Sequence, residues 1–213
     1  MKKVLLLIFS CCSLMSFGQT TYERGMHKAM EEWQEGNSQE ALAILERIAD
    51  ANSTNWIPAY YQVFIAITQG FQDPQNEAIE EKVRNNRLMI ERWLAQGGEE
   101  WYILQGMNET LDLMTDPMNK GMKQSEVIIK AYEKALELNP TNPRALYSLA
   151  SFYLNSSKFR KVDTTYCMNL LNRAIEQFNK QKSEVPYYPK WGKEWALKTQ
   201  ALFANQIDKV SSK

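Results

Sequence analysis

The sequence predicts an all-α protein in which antiparallel helix pairs stack as an α-solenoid. Three observations predict this. First, apolar residues recur with a helical period. Ala41, Leu42, Leu45, Ile48 and Ala49 form one stripe, Ile79, Val83, Ile90 and Leu94 a second, and Ile128, Ala131, Tyr132 and Ala135 a third. A fourth runs through Leu171, Ala174, Ile175 and Phe178. Each is one face of an amphipathic helix. Second, helix signals punctuate these stripes. Asp73-Pro74 and Asn142-Pro143 read as an N-cap followed by proline at the first helical position, and Gly36-Asn37 and Gly97-Gly98 read as stops. Third, no stretch sustains two-residue alternation between hairpin turns, so strands find no support.

The first 19 residues are read apart from the fold. Lys2 and Lys3 precede an apolar run from Val4 to about Phe17, and Ser16 and Gly18 supply small residues before Gln19. That order is the form of a secretory leader removed on export. The run is too short and interrupted for a membrane-spanning helix, which needs about 20 apolar residues. Lipid attachment at Cys11 or Cys12 is the disfavoured alternative, since Phe9 is bulky for a lipobox. Loss of Lys2 and Lys3 leaves 23 of 25 bases against 25 acids, a net charge of −2. Cys167 is then the one remaining cysteine, so no intramolecular disulfide is expected, and its setting among Tyr166, Met168 and Leu170 suits a small buried hydrophobe.

Residues 20–213 are expected to form a single helical domain. Nine helices are predicted near 22–35, 38–51, 55–69, 75–96, 99–115, 123–139, 143–156, 164–181 and 189–210. Gly36 ends the first, and Asn52-Ser53-Thr54 separates the second from the third. Asp73-Pro74 opens the fourth and Gly97-Gly98 closes it. The loop TDPMNKGMK (115–123) parts the fifth from the sixth, and Asn139-Pro140 ends the sixth because a residue before proline avoids the α region. Asn142-Pro143 opens the seventh. Residues 156–163 part the seventh from the eighth, and Trp195, Leu202 and Ile207 give the ninth its apolar anchors.

Composition removes several function classes. The 213 residues carry one histidine and a formal net charge of zero. That balance lacks the basic excess of a nucleic-acid binder, and one histidine leaves no His-rich metal site. No P-loop, dinucleotide glycine turn, G-x-S-x-G or H-E-x-x-H occurs. The acidic pairs Glu31/Glu32, Glu80/Glu81 and Glu99/Glu100 read as solvated helix faces, because adjacent helical residues point in different directions. The chain is therefore expected not to be an enzyme, and no cofactor is implied.

Two stretches, 36–61 and 125–153, share a helix–turn–helix pattern, and the second resembles the tetratricopeptide repeat. Its AYEKALELNP segment carries the aromatic Tyr132, the small Ala135, Leu136 and the closing Pro140. The next helix supplies Leu146, Leu149, Ala150 and Tyr153 as the large–large–small–aromatic series. Unit starts fall at Tyr22, Trp56, Gly98 and Pro143, separated by 34, 42 and 45 residues against the family's period of about 34. The resemblance covers most of 22–182. It implies a right-handed stack of about four helix pairs, closed by the capping helix at 189–210. It also implies a concave groove lined by the first helix of each pair.

The fifth residue of each first helix then faces that groove: Met26, Tyr60, Tyr102 and Tyr147. The three tyrosines suit an extended peptide, since tyrosine gives contact area and a hydroxyl at low entropy cost. Arg144, Ser151, Asn155, Thr68 and Glu109 are the neighbouring groove candidates. The expected function is docking of a protein or peptide partner in a bacterial envelope, in the periplasm or at the outer-membrane periphery. The alternative is a carbohydrate- or small-ligand-binding envelope protein using the aromatics of VPYYPKWGKEW (185–195). A purely structural use of that cluster is that it seals the last repeat against the capping helix.

Overall fold

The computed structural model describes residues 21–211 apart from Gly97, with side-chain burial through residue 204. The leader expected at 1–19, with Cys11 and Cys12, lies outside the described residues. Nine helices follow in order, and among the described residues there is no strand. They are α1 (21–34), α2 (Ser38–Ala51), α3 (Trp56–Gln72), α4 (Ile79–Leu94), α5 (Glu99–Thr115), α6 (Pro117–Leu138), α7 (Pro143–Ser156), α8 (Thr164–Lys180) and α9 (Lys193–Ser211).

Most boundaries fall where the punctuation set them. At α7 the Asn142 side chain accepts from the amides of Arg144 and Ala145 at 2.9 and 3.2 Å, with Pro143 in the first turn. Two starts differ. The helix expected near 123 begins at Pro117, because Asp116 caps it by accepting from the Asn119 amide at 3.2 Å. The Asp-Pro pair that ends α5 thus also starts α6. The helix expected at 75 begins instead at Ile79. Asp73 closes a turn on Asn76, which in turn accepts from the Ala78 amide at 3.1 Å, so the cap signal is spent ahead of the helix.

The chain divides into two compact units. The first comprises residues up to Ile65 together with Val185–Tyr187. Here Gly25 of α1 lies against the Ile48 side chain of α2. Trp33 meets Phe64 edge-on with centroids 5.7 Å apart, and Tyr60 stacks on Phe64 at 6.1 Å. Met26, Ala29, Ala41 and Leu45 are wholly buried around them. The late segment contributes Tyr187, whose hydroxyl donates to the Glu23 carbonyl at 2.9 Å and whose ring meets Tyr22 edge-on.

The second unit, Ala66–Glu184 with Tyr188–Lys213, holds most of the helix-pair stack. Consecutive helices pack from α4 to α9, and α5 also touches α7. Contacts to the next helix and the next but one are what layered helix pairs produce. The repeat residues behave as the resemblance implies. Ala135 and Ala150 are wholly buried at close helix approaches, and Tyr132 is buried between α5 and α7. Gly106 of α5 lies flat against the Tyr132 ring, leaving no room there for a Cβ. The Tyr132 hydroxyl reaches the side chains of Thr110 and Ser148, and burial pushes its pKa well above the usual tyrosine range. Cys167 is buried, and burial likewise raises its thiol pKa, which fits a packing role.

Replacing Gly106 with alanine tests this approach. Helix propensity alone favours alanine by about 1 kcal/mol, whereas overpacking a rigid core costs about 1–3 kcal/mol. The expected outcome is a net destabilisation in urea unfolding; a gain in stability would show that the Tyr132 ring gives way easily.

Candidate functional site

Of the nine groove candidates, Met26 is wholly buried in the first unit, and the other eight separate into two groups. Tyr60 and Arg144 are wholly buried, and Glu109 is 5% exposed. Tyr60 is part of the aromatic core of the first unit. Glu109 accepts both Arg87 nitrogens at 2.9 and 2.8 Å and is also reached by Gln124. Asp112 beside it pairs with Lys120 at 2.7 Å, so these charges tie α4, α5 and α6 together. Nearby, Asn86 donates to Asn108, which donates to the Val83 carbonyl, both at 3.1 Å. The three buried residues therefore present no surface for docking, because the sequence pattern marks a helix face without showing which neighbour covers it.

Arg144 is the clearest case. Its Nε and Nη2 donate to the Glu100 carboxylate at 2.9 and 2.5 Å. Its Nη1 donates to Gln181 Oε1 at 3.0 Å and the Pro189 carbonyl at 2.8 Å. Asn142 Nδ2 adds a 2.7 Å bond to Glu100, and Tyr188 places its ring 5.4 Å from the guanidinium. Burial and the Glu100 charge push the Tyr188 hydroxyl far above its usual pKa. Glu100 is 3% exposed, so the expectation of a solvated Glu99/Glu100 face fails at its second member. Beside the pair lies a polar cleft of about 310 Å³, lined by Asn139, Thr141, Gln177, Lys180 and Gln181 among others.

The second group keeps solvent access. Tyr147 and Ser151 are half-buried and Asn155 is exposed. Four-residue spacing puts the three on one stripe of α7, and Asn155 Nδ2 donates to Ser151 Oγ at 3.2 Å. Tyr102 on α5 and Thr68 on α3 are half-buried and stand apart from this stripe in the chain.

The aromatic cluster at 185–195 also divides. Tyr187 and Tyr188 are used structurally, as described. Trp191 stays half-buried, and Trp195, 39% exposed, lies 6.4 Å from Tyr147 and 5.3 Å from Trp191. Trp195 and Leu202 were expected to anchor the last helix inward. Instead Ala196 is its buried residue, Leu202 is 61% exposed, and Gln200 bonds Asn172 of α8 at 2.6 Å. Ile207 lies beyond the described side chains. With the small Ala196 wholly buried, the larger Trp195, Leu197 and Leu202 are left partly exposed. Sequence reasoning missed the contact of Tyr147 on α7 with Trp195 on α9, for which the local sequence carries no signal.

The surface thus offers a tyrosine, two tryptophans, a serine and an asparagine. It supplies stacking area and neutral hydrogen-bonding groups. His27 sits elsewhere, 3.2 Å from Glu31 with both side chains exposed. Among the described residues, no group of three or more His, Cys, Asp or Glu is placed to hold a metal ion. No helix among them is long and apolar enough to cross a membrane.

Two predictions test the interior of this region. Arg144→Met leaves the Glu100 carboxylate buried without its counter-charge and is expected to cost about 3–5 kcal/mol in urea unfolding. The double variant Glu100→Leu/Arg144→Met is expected to cost less than the single one. The second prediction concerns alkali. Tyr132 and Tyr188 have folded pKa values raised above the ordinary 10.0, so the unfolded chain releases these protons first. Their contribution is complete below pH 10 and declines as pH rises further. Stability is expected to fall above pH 10, with two tyrosinates appearing in ultraviolet absorbance only as the chain unfolds.

Comparison with known proteins agrees with this architecture. Residues 131–182 match the tetratricopeptide repeat. The solved structure of the HusA haemophore from Porphyromonas gingivalis superposes with a TM-score of 0.75 at 20% identity, over 86% of this chain and 91% of that one. A MamA RS-1 ArsTM double mutant gives a TM-score of 0.46 at 15% identity, over 76% and 78% of the two chains. No curated protein matches the sequence. One tetratricopeptide repeat is thus matched at 131–182, helix pairs pack on either side of it, and the all-helical fold is similar to that of the haemophore structure.

Proposed function

We propose that this is a non-enzymatic binding protein of the bacterial cell envelope that docks a protein or peptide partner on the surface shared by α7 and α9. Tetratricopeptide-like folds commonly mediate protein–protein interaction. The observation that carries the reading is the contact of Tyr147 with the exposed Trp195, beside the polar stripe of Ser151 and Asn155. Tyrosine and tryptophan at a partly exposed site are the residue types that dominate binding energy. Ser151 and Asn155 supply the hydrogen bonds that fix orientation. Export to the periplasm or the outer-membrane periphery rests on the leader, with Lys2, Lys3, the apolar run and Ser16/Gly18 in order.

A second reading is a carrier of a planar small ligand on the same aromatics. The structural likeness to a haemophore favours this reading, as do the two tryptophan rings 5.3 Å apart beside a tyrosine. A flat conjugated ligand stacks on such rings.

One pair of variants tests both readings. Tyr147→Ala and Trp195→Ala remove ring area from partly exposed positions, and thermal unfolding checks that the fold persists. Crosslinked capture from envelope extract is expected to retain a reproducible protein with the wild type. Its affinity is expected to fall by about 2 kcal/mol, roughly 30-fold, in the double variant. Saturable binding of haem, followed by its absorbance and by tryptophan quenching and weakened by the same variants, would support the second reading. Neither response would sink the surface as a binding site.

A further inference from the structure

The turn between α7 and α8 carries a feature that the α7–α9 surface does not use. Its residues Lys158, Phe159, Arg160 and Lys161 are all exposed. Phe159 is 88% exposed, an unusual position for a large aromatic side chain. The turn is nevertheless ordered, since the amides of Phe159 and Arg160 both donate to the Ser156 carbonyl, at 2.9 and 3.2 Å. Arg160 lies over the Tyr153 ring at 5.3 Å, and Tyr153 meets Tyr166 edge-on at 6.3 Å. Tyr166 is half exposed, so a second aromatic stands at the base of the tip.

The tip itself, 158–161, carries three cations and no carboxylate, while two carboxylates stand at its base. Glu133 of α6 lies near Tyr153, and Asp163 is occupied in capping α8 by accepting from the Tyr166 amide at 3.0 Å. Among the described residues, Lys158, Arg160 and Lys161 enter none of the ion pairs, which all lie elsewhere.

We propose that the Lys158–Lys161 turn docks the protein on an anionic phospholipid surface, with Phe159 entering the headgroup boundary and the three cations meeting lipid phosphates. A four-residue turn offers far less area than the roughly 800 Å² per partner that a stable protein interface buries. A bilayer makes no such demand, since one aromatic ring and a few cations suffice for reversible interfacial binding. The charge complementarity is direct: three cations face a surface of negative potential, each contributing about a fivefold gain in partition. The ordered backbone holds Phe159 outward in advance.

The test is flotation of the chain from Gln19 onward with vesicles of phosphatidylcholine alone or mixed with phosphatidylglycerol. Leaving out residues 1–18 keeps the apolar leader from partitioning by itself, and the whole described fold is retained. Binding is expected with the anionic vesicles, not with the neutral ones, and is expected to be released by high salt. Lys158→Gln/Lys161→Gln is expected to lower the partition coefficient about 25-fold, as the product of two fivefold losses, and Phe159→Ala severalfold. All three positions are exposed, so unfolding temperatures should match the wild type, and the Tyr147/Trp195 surface is unaltered. No binding to anionic vesicles would overturn the proposal, as would binding that neither variant weakens. Dependence of an acidic protein's capture on these residues, without vesicle binding, would overturn it as well.

Discussion

The second unit depends on one buried ion pair. Arg144 and Glu100 are the second residues of α7 and α5, the first helices of successive pairs, and they meet across 44 residues of sequence. Neither charge is tolerable alone in that position, because desolvation costs several kcal/mol per ion. The guanidinium offsets this by using its planar fork on Glu100 and its remaining edge on Gln181 and Pro189. A lysine lacks that geometry. The pair therefore fixes three things together: the approach of α5 to α7, the end of α8, and the path of the segment that leads into α9. The placement of Trp191 and Trp195 beside Tyr147 follows from that path.

The same unit uses a second polar cluster differently. Arg87, Glu109, Asp112, Lys120 and Gln124 join α4, α5 and α6 with partial solvent access at Arg87 and Lys120. Exposed members lessen the desolvation cost, so this network acts more through register than through net stability. Together the two clusters make α5 the hub of the unit. Its buried face carries Glu100, Asn108 and Glu109 as well as Leu104 and Leu111, which is why its apolar period is the least regular to read.

How far the sequence showed this can be argued residue by residue. The helices were legible because their signals are local. Asn142 caps, Pro143 starts, and Ile128, Ala131, Tyr132 and Ala135 mark a buried face, whatever the rest of the chain does. The start of α6 was less legible, since Pro117 and Gly121 also belong to loops; Asp116 decides for helix. The groove list failed where a side chain's use depends on a distant partner. Arg144 and Glu109 are charged residues on first helices, and charge normally implies solvent. Opposite charges at matching positions of successive units were the available signal for the Arg144–Glu100 pair. Nothing comparable announced Trp195, left partly exposed beside the buried Ala196.

The return of residues 185–187 to the first compact unit bears on how the chain acquires its structure. In a simple array of repeats each unit completes itself from adjacent sequence and nucleates anywhere. Here the Tyr187 hydroxyl reaches the Glu23 carbonyl across 164 residues. That loop must close before the N-terminal unit has all its contacts, and loop closure over such separations slows folding. Residues up to 65 therefore stay incomplete while the ribosome makes the next hundred or more. The earliest segment thus finishes folding only when residues 185–187 arrive.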